Sequence, residues 1–159
     1  MRLIDNIQIA VKDAVGAAAT GFTTATNSVN MSGYDRCAIV LILTQAGAGT
    51  ATVTLNQGTT TTASTALGFT KYYKNETGVT TAKLTEVEAT TLTTAGPTTG
   101  TNVYVFEVLA EDLAVNSDNK FLRMNVASIS NNTAACLFYV LYNGRQGANH
   151  ESLVDALAT

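Results

Sequence analysis

Arg36-Cys-Ala-Ile-Val-Leu-Ile-Leu-Thr44 is the stretch on which the fold turns. Read with a period of two, Cys37, Ile39, Leu41 and Leu43 fall on one side. Ala38, Val40 and Ile42 fall on the other, so both sides are apolar. Such a run reads as a strand covered on both faces. Met31-Ser-Gly-Tyr-Asp35 precedes it as a turn: Gly33 permits positive φ, and Asp35 can bond its neighbouring backbone. A second run of the same kind is Ala134-Ala-Cys-Leu-Phe-Tyr-Val-Leu-Tyr142, ended by Asn143-Gly144.

Outward from these two runs, half-buried strands follow. Ala51-Thr-Val-Thr-Leu55 alternates with Thr outward, and after the loop Ala46–Gly49 it predicts a hairpin with the first run. Asn102–Leu109 places Tyr104, Phe106 and Val108 on one face. Lys120–Ile129 turns Leu122, Met124 and Val126 inward, with Arg123 and Asn125 outward. Ile7, Ile9 and Val11 alternate as a strand, although Leu3, Ile7, Val11 and Val15 also fit a helical stripe. Lys71–Lys74 predicts a short strand before a turn at Asn75–Gly78, and Glu86–Thr93 alternates again. Thr94–Gly100 is a loop, and Glu111–Asn119 a polar excursion with room for one helical turn. Many short strands at this spacing predict an all-β antiparallel sandwich, jelly-roll-like, spanning 1–147. Residues 148–159 form a tail whose apolar positions are Leu153, Val154 and Leu157.

Composition supports this reading. The chain has 159 residues, enough for one domain that buries roughly 70% of its unfolded surface without a disulfide or metal. Charged residues make up 13%, about half the usual share, and 27 Thr and 23 Ala fill the gap. Thr is β-branched and favours strands. These proportions exclude a disordered charged tail, a coiled coil and a disulfide scaffold. A net charge of -3, with nine scattered cations, argues against nucleic acid as a partner. Cys37 and Cys136 each sit in an apolar run and read as buried free thiols, with a cross-strand disulfide as the alternative. Met1–Val15 lacks the apolar core of a secretory signal, and no run reaches the length of a membrane helix. The expectation is a product of a reducing cytoplasm with no membrane partner.

Chemistry-bearing residues are sparse. The single histidine, His150, lies beside Glu151 in the tail, and no Gly-x-Ser-x-Gly is present. No Cys-x-x-Cys or His pair offers zinc spacing. Asn116-Ser-Asp-Asn119 has the alternation of a calcium loop but reads better as a turn. Ser117-Asp-Asn-Lys120 overlaps two motifs that penicillin-binding enzymes keep apart, so it reads as coincidence. Gly47-Ala-Gly49 lacks the third glycine of a dinucleotide fingerprint. Glu86 and Glu88 share a strand face, where two solvated charges are the simpler reading than an acid–base pair. The expectation is no catalytic residue, no cofactor and no metal.

Three stretches carry a family resemblance. They are Val29-Asn-Met-Ser-Gly-Tyr-Asp35 through Ile42, Phe106–Leu113 with Lys120–Val126, and Phe138–Gly147. Together they cover roughly half of the chain. They resemble the small all-β virion proteins of tailed bacteriophages, among them capsid decoration (cement) and auxiliary head proteins with jelly-roll-like domains. The resemblance implies a structural protein on the capsid surface of a virion, made in the host cytoplasm. Its implied partner is the major capsid protein. It also implies a homo-oligomer, with a trimer favoured by the three-fold positions of a shell. The family has no catalytic residues to carry over. The alternative is a tail- or fibre-associated module binding a host glycan, for which Tyr72 and Tyr73 are the adjacent aromatic pair.

Self-association also follows from the two doubly apolar runs. A strand in a free-standing sandwich shows one wet face. Val40, Ile42, Leu137, Tyr139 and Leu141 are therefore the candidate interface, because leaving them in water would create an exposed apolar patch.

Overall fold

A computed structural model describes residues 7–16, 28–45, 50–78, 83–94, 100–113, 118–126 and 132–144. The doubly apolar runs become the two longest strands, β3 (Tyr34–Gln45) and β11 (Asn132–Gly144). They pair antiparallel, with Leu137 opposite Leu41, Tyr139 opposite Ile39 and Leu141 opposite Cys37. Around them a six-stranded sheet forms in the order β1-β11-β3-β9-β6-β7. Its other members are β1 (Ile7–Gly16), β9 (Gly100–Leu109), β6 (Lys71–Gly78) and β7 (Thr85–Glu88). The second sheet runs β2-β10-β4-β5. It comprises β2 (Ser28–Asn30), β10 (Phe121–Val126), β4 (Thr52–Gly58) and β5 (Thr65–Leu67), and β8 (Leu92–Thr93) also pairs with β4. Every pairing is antiparallel. The fold is an all-β sandwich, and the strand order alone does not make it a jelly roll. The one helical piece among the described residues is a 3₁₀ turn at Ala110–Asp112, inside the predicted polar excursion.

Between the sheets lies one continuous core. Ile39, Leu41 and Leu43 of β3 meet Leu122, Met124 and Val126 of β10, all fully buried. Tyr104, Phe106 and Val108 of β9 join them, as the alternation predicted. Phe69 packs edge-on against Phe106 with ring centroids 5.0 Å apart, and Tyr72 stacks on Phe106 at 5.6 Å. These offset and edge arrangements suit the aromatic quadrupole and close the β6 side of the core. Burying each large apolar side chain contributes roughly 1.5–3 kcal/mol, so this cluster is the main source of stability.

One bond ties the sheets together by polarity. The buried Tyr139 of β11 reaches across, and its hydroxyl accepts the Met124 N–H at 2.9 Å. β2 pairs with β10 only over Phe121–Arg123. The tyrosine oxygen serves the next amide along, which a sheet interior otherwise leaves costly.

Three local expectations change. β3 and β4 are not a hairpin: β3 pairs with β11 and β9, whereas β4 pairs with β10, β5 and β8. The alternation in β4 fixes its wet face but not its neighbour. The loop Ala46–Gly49, with the Gly47-Ala-Gly49 motif, lies outside the described residues. Asn75–Gly78 is not a turn but the end of β6, irregular in register between Asn75 and Gly78. Glu86–Thr93 is two strands, because the chain leaves one sheet after Glu88 and enters the other at Leu92. The turn before β3 is as expected, with Gly33 at φ 90°.

Candidate functional site

The two sheets treat their outer faces differently. On the five-stranded sheet, Thr52 and Thr54 of β4 are exposed, and Arg123 and Asn125 of β10 lie between buried Leu122, Met124 and Val126. That face is polar. On the six-stranded sheet the outward residues of β3 are Ala38, Val40 and Ile42, each half-buried between fully buried neighbours. Register carries the apolar character sideways. Val40 stands opposite Phe138 on one side and Val105 on the other; Phe138 in turn faces Val11, and Val105 faces Tyr73. A second row joins Ile9, Val140 and Ala38, and a third joins Cys136, Ile42 and Val103. Ile9 and Val11, on the edge strand β1, are 62% and 57% exposed.

Polar groups rim this island. At one end Arg36 pairs with Glu107 at 2.9 Å, and the Tyr142 hydroxyl donates to the same carboxylate oxygen. That hydrogen bond, with the Arg36 contact beside it, holds Glu107 below the usual carboxylate range. Burial first, then the bond to Glu107, pushes Tyr142 up to about 12. At the far end the Thr44 and Thr101 hydroxyls meet at 3.1 Å. Along β6 and β7, Lys71 lies 3.7 Å from Glu86. A hydrogen bond from Tyr73, then the charge of Lys71, lowers the Glu86 carboxyl. The rim cations Arg36 and Lys71 are thus matched within the chain.

The expected interface set splits. Val40 and Ile42 lie half-buried on the outer face. Leu137, Tyr139 and Leu141 do not: each is fully buried in the core. Pairing with β3 turns them inward beside Leu41, Ile39 and Cys37, and leaves Cys136, Phe138, Val140 and Tyr142 outside. Sequence reasoning missed Phe138, Val140, Val103 and Val105 for the same reason. The signal that does point to the face is Ile7-Gln-Ile-Ala-Val11, whose larger residues sit opposite a single small Ala10 that enters the core.

Cys37 is buried and Cys136 half-buried on the opposite side of the sheet, so no disulfide joins them. The expectation of two buried thiols holds for Cys37 and is corrected for Cys136. Tyr72 and Tyr73 do not act as an aromatic pair, since adjacent strand residues face opposite ways and Tyr72 belongs to the core. Glu86 and Glu88 are exposed on β7, as the solvated reading had it. Asp118, at φ 53°, sits in a turn, whereas His150, Asn116 and Ser117 lie outside the described residues. Among the described residues no group of three or more His, Cys, Asp or Glu is placed to hold a metal ion. No helix there is long and apolar enough to cross a membrane. A cavity of about 610 Å³ opens beside β6, with Leu55, Leu67 and Phe69 on its apolar side. Its cations are Arg36 and Lys71, already matched to carboxylates.

Comparison of the chain with protein-family models, with curated proteins and with solved structures gave no match.

Proposed function

We propose that the chain is a structural virion protein, a capsid decoration or cement protein that binds an assembled phage head and stabilises it. The observation that carries the reading is the dry outer face of the six-stranded sheet. A protein whose surface investment is a sheet face works by contact, and a face of this character marks a protein–protein interface. The resemblance supplies the setting: the major capsid protein as partner, the capsid surface as location, synthesis in the host cytoplasm and homo-oligomers, trimers among them. The described parts of the stretches that carry it fall on β2–β3, β9–β10 and β11. Electron microscopy of particles from the source tests the reading. The expected result is density for this chain on the head. Density confined to tail or fibre replaces it with the alternative virion module, and absence from the particle overturns it.

A further inference from the structure

We infer that the cavity beside β6 is a docking slot for an extended, uncharged stretch of another polypeptide, which adds its backbone to the open side of β9 and seats one apolar side chain between the sheets. The slot is a different surface from the outer face proposed above, and the inference goes beyond that reading without resting on it. The first observation is the backbone. β9 pairs with β3 as far as Leu109, opposite Arg36. On its other side the ladder with β6 ends at Tyr73 and Val105. There β6 stays with β7: Lys71 stands opposite Glu88, and the Thr70 carbonyl accepts the Ala89 N–H at 3.0 Å. Among the described residues, Glu107–Leu109 therefore have a strand partner on the β3 side only. A strand presents backbone groups to both sides, so its unpaired side is a template for another strand. The Leu109 N–H is met instead by a side chain, the Asp112 carboxylate at 2.9 Å.

The second observation is the space beside that edge. Past the stacked rings of Tyr72 and Phe106 the chain crosses between the sheets, from β5 to β6 through 68–70. The gap left beside β9 is the cavity of about 610 Å³, a size within the range of natural binding pockets. Leu55 and Leu67 of the other sheet line it, together with Phe69 and Val108. A strand turns alternate side chains to opposite faces, so a peptide laid along Glu107–Leu109 points one side chain at this apolar lining and its neighbours at water. Gly68 lines the same cavity, and a Cβ added there meets nothing within 4 Å.

The third is charge. Arg36 pairs with Glu107, Lys71 with Glu86, and Asp112 holds the Leu109 N–H. Each charged residue of the lining is thus engaged within the chain, and the slot asks for no charge from its occupant. Among uncharged ligands the backbone edge makes the selection. A saccharide or a lipid has no row of alternating N–H and C=O groups to match a strand, and an extended peptide has one.

Nuclear magnetic resonance on the full chain tests the inference. The probes are short end-blocked peptides of alternating Thr and Ser around one central Leu, Ile, Val, Met or Phe. The expected result is saturable binding, with shifts centred on Gly68, Phe69 and Glu107–Leu109. Amide exchange at Glu107–Leu109 is expected to slow, which a side-chain contact alone does not produce. A central Asp is expected to weaken binding by about tenfold or more. Gly68→Trp fills the cavity from a position with open space around it, and Thr70→Trp does so from an exposed position on the same wall. Each is expected to keep the Tm of the parent chain and to abolish the shifts. A panel in which no peptide binds overturns the inference. So does binding that persists in both Trp variants, binding that leaves exchange at Glu107–Leu109 unchanged, or a neutral disaccharide that produces these shifts where the peptides do not. Head binding by the outer face is independent of each of these results.

Discussion

Replacing Tyr139 by Phe removes one oxygen and keeps the ring, so it separates a hydrogen bond from packing. Tyr139 is fully buried, and its hydroxyl accepts the Met124 N–H at 2.9 Å across the two sheets. Burial pushes the Tyr139 hydroxyl well above the ordinary phenol range, with the Met124 bond acting the other way. In the variant that buried amide loses its acceptor. Leaving a buried donor unsatisfied costs about 1–3 kcal/mol, partly offset because the phenol oxygen itself is no longer buried. A net loss of about 2 kcal/mol lowers Tm by roughly 4–8 °C at this chain length. Urea unfolding followed by circular dichroism measures the difference, and an unchanged slope shows that the compactness of both states is preserved. Tyr142→Phe is the control: its hydroxyl lies at the surface rim, and its loss is expected to stay within about 0.5 kcal/mol. A Tyr139→Phe loss below that same figure refutes the cross-sheet bond and, with it, the placement of Tyr139 in the core rather than at an interface.

Two further outcomes follow from the same geometry. In the folded protein, a thiol reagent is expected to label Cys136 before Cys37, which reacts only on unfolding, because burial both hides Cys37 and pushes its thiol up; equal rates for the two in the folded state contradict the facing of β3 and β11. The Glu107 carboxylate, depressed by Tyr142 and Arg36, is expected by nuclear magnetic resonance to titrate below 4.5 and to return toward it in Tyr142→Phe. Its contribution to stability is present above 4.5 and is lost as pH falls through the depressed value. The Tyr142 phenol runs the opposite way: its contribution is present below 10.0 and is lost as pH rises through about 12. An ordinary Glu107 titration rules out the rim bond.

Where one set of alternate positions was polar, the facing of a strand was legible in the sequence. Arg123 and Asn125 fixed β10, and Thr52 and Thr54 fixed β4. In β3 and β11 both sets are apolar, so periodicity gives two candidate faces and no means to rank them. The ranking comes from register: Leu137 opposite Leu41 and Phe138 opposite Val40. That pairing joins residues far apart in the chain, and nothing local encodes it. The β3–β4 hairpin failed for a related reason, since adjacency in sequence favours pairing but a sandwich also needs strands that cross between its layers. At Asn75–Gly78 turn-forming residues were overridden by the ladder with β9, whose irregular register absorbs them.

The distribution of Val and Thr carries the last step. The two side chains are nearly isosteric and both β-branched, so strand geometry accepts either. On the outer face of β4 the chain uses Thr52 and Thr54, which satisfy the strand and meet water with a hydroxyl. On the outer face of β3, β9, β11 and β1 it uses Val40, Val103, Val105, Val140 and Val11. In a chain with 27 Thr, the residue that would keep those positions wet is the commonest one available. Val there adds little to strand propensity and exposes methyl groups that water disfavours. Strand geometry does not require that choice, and the choice supports the proposal that the six-stranded sheet is the contact surface of the molecule.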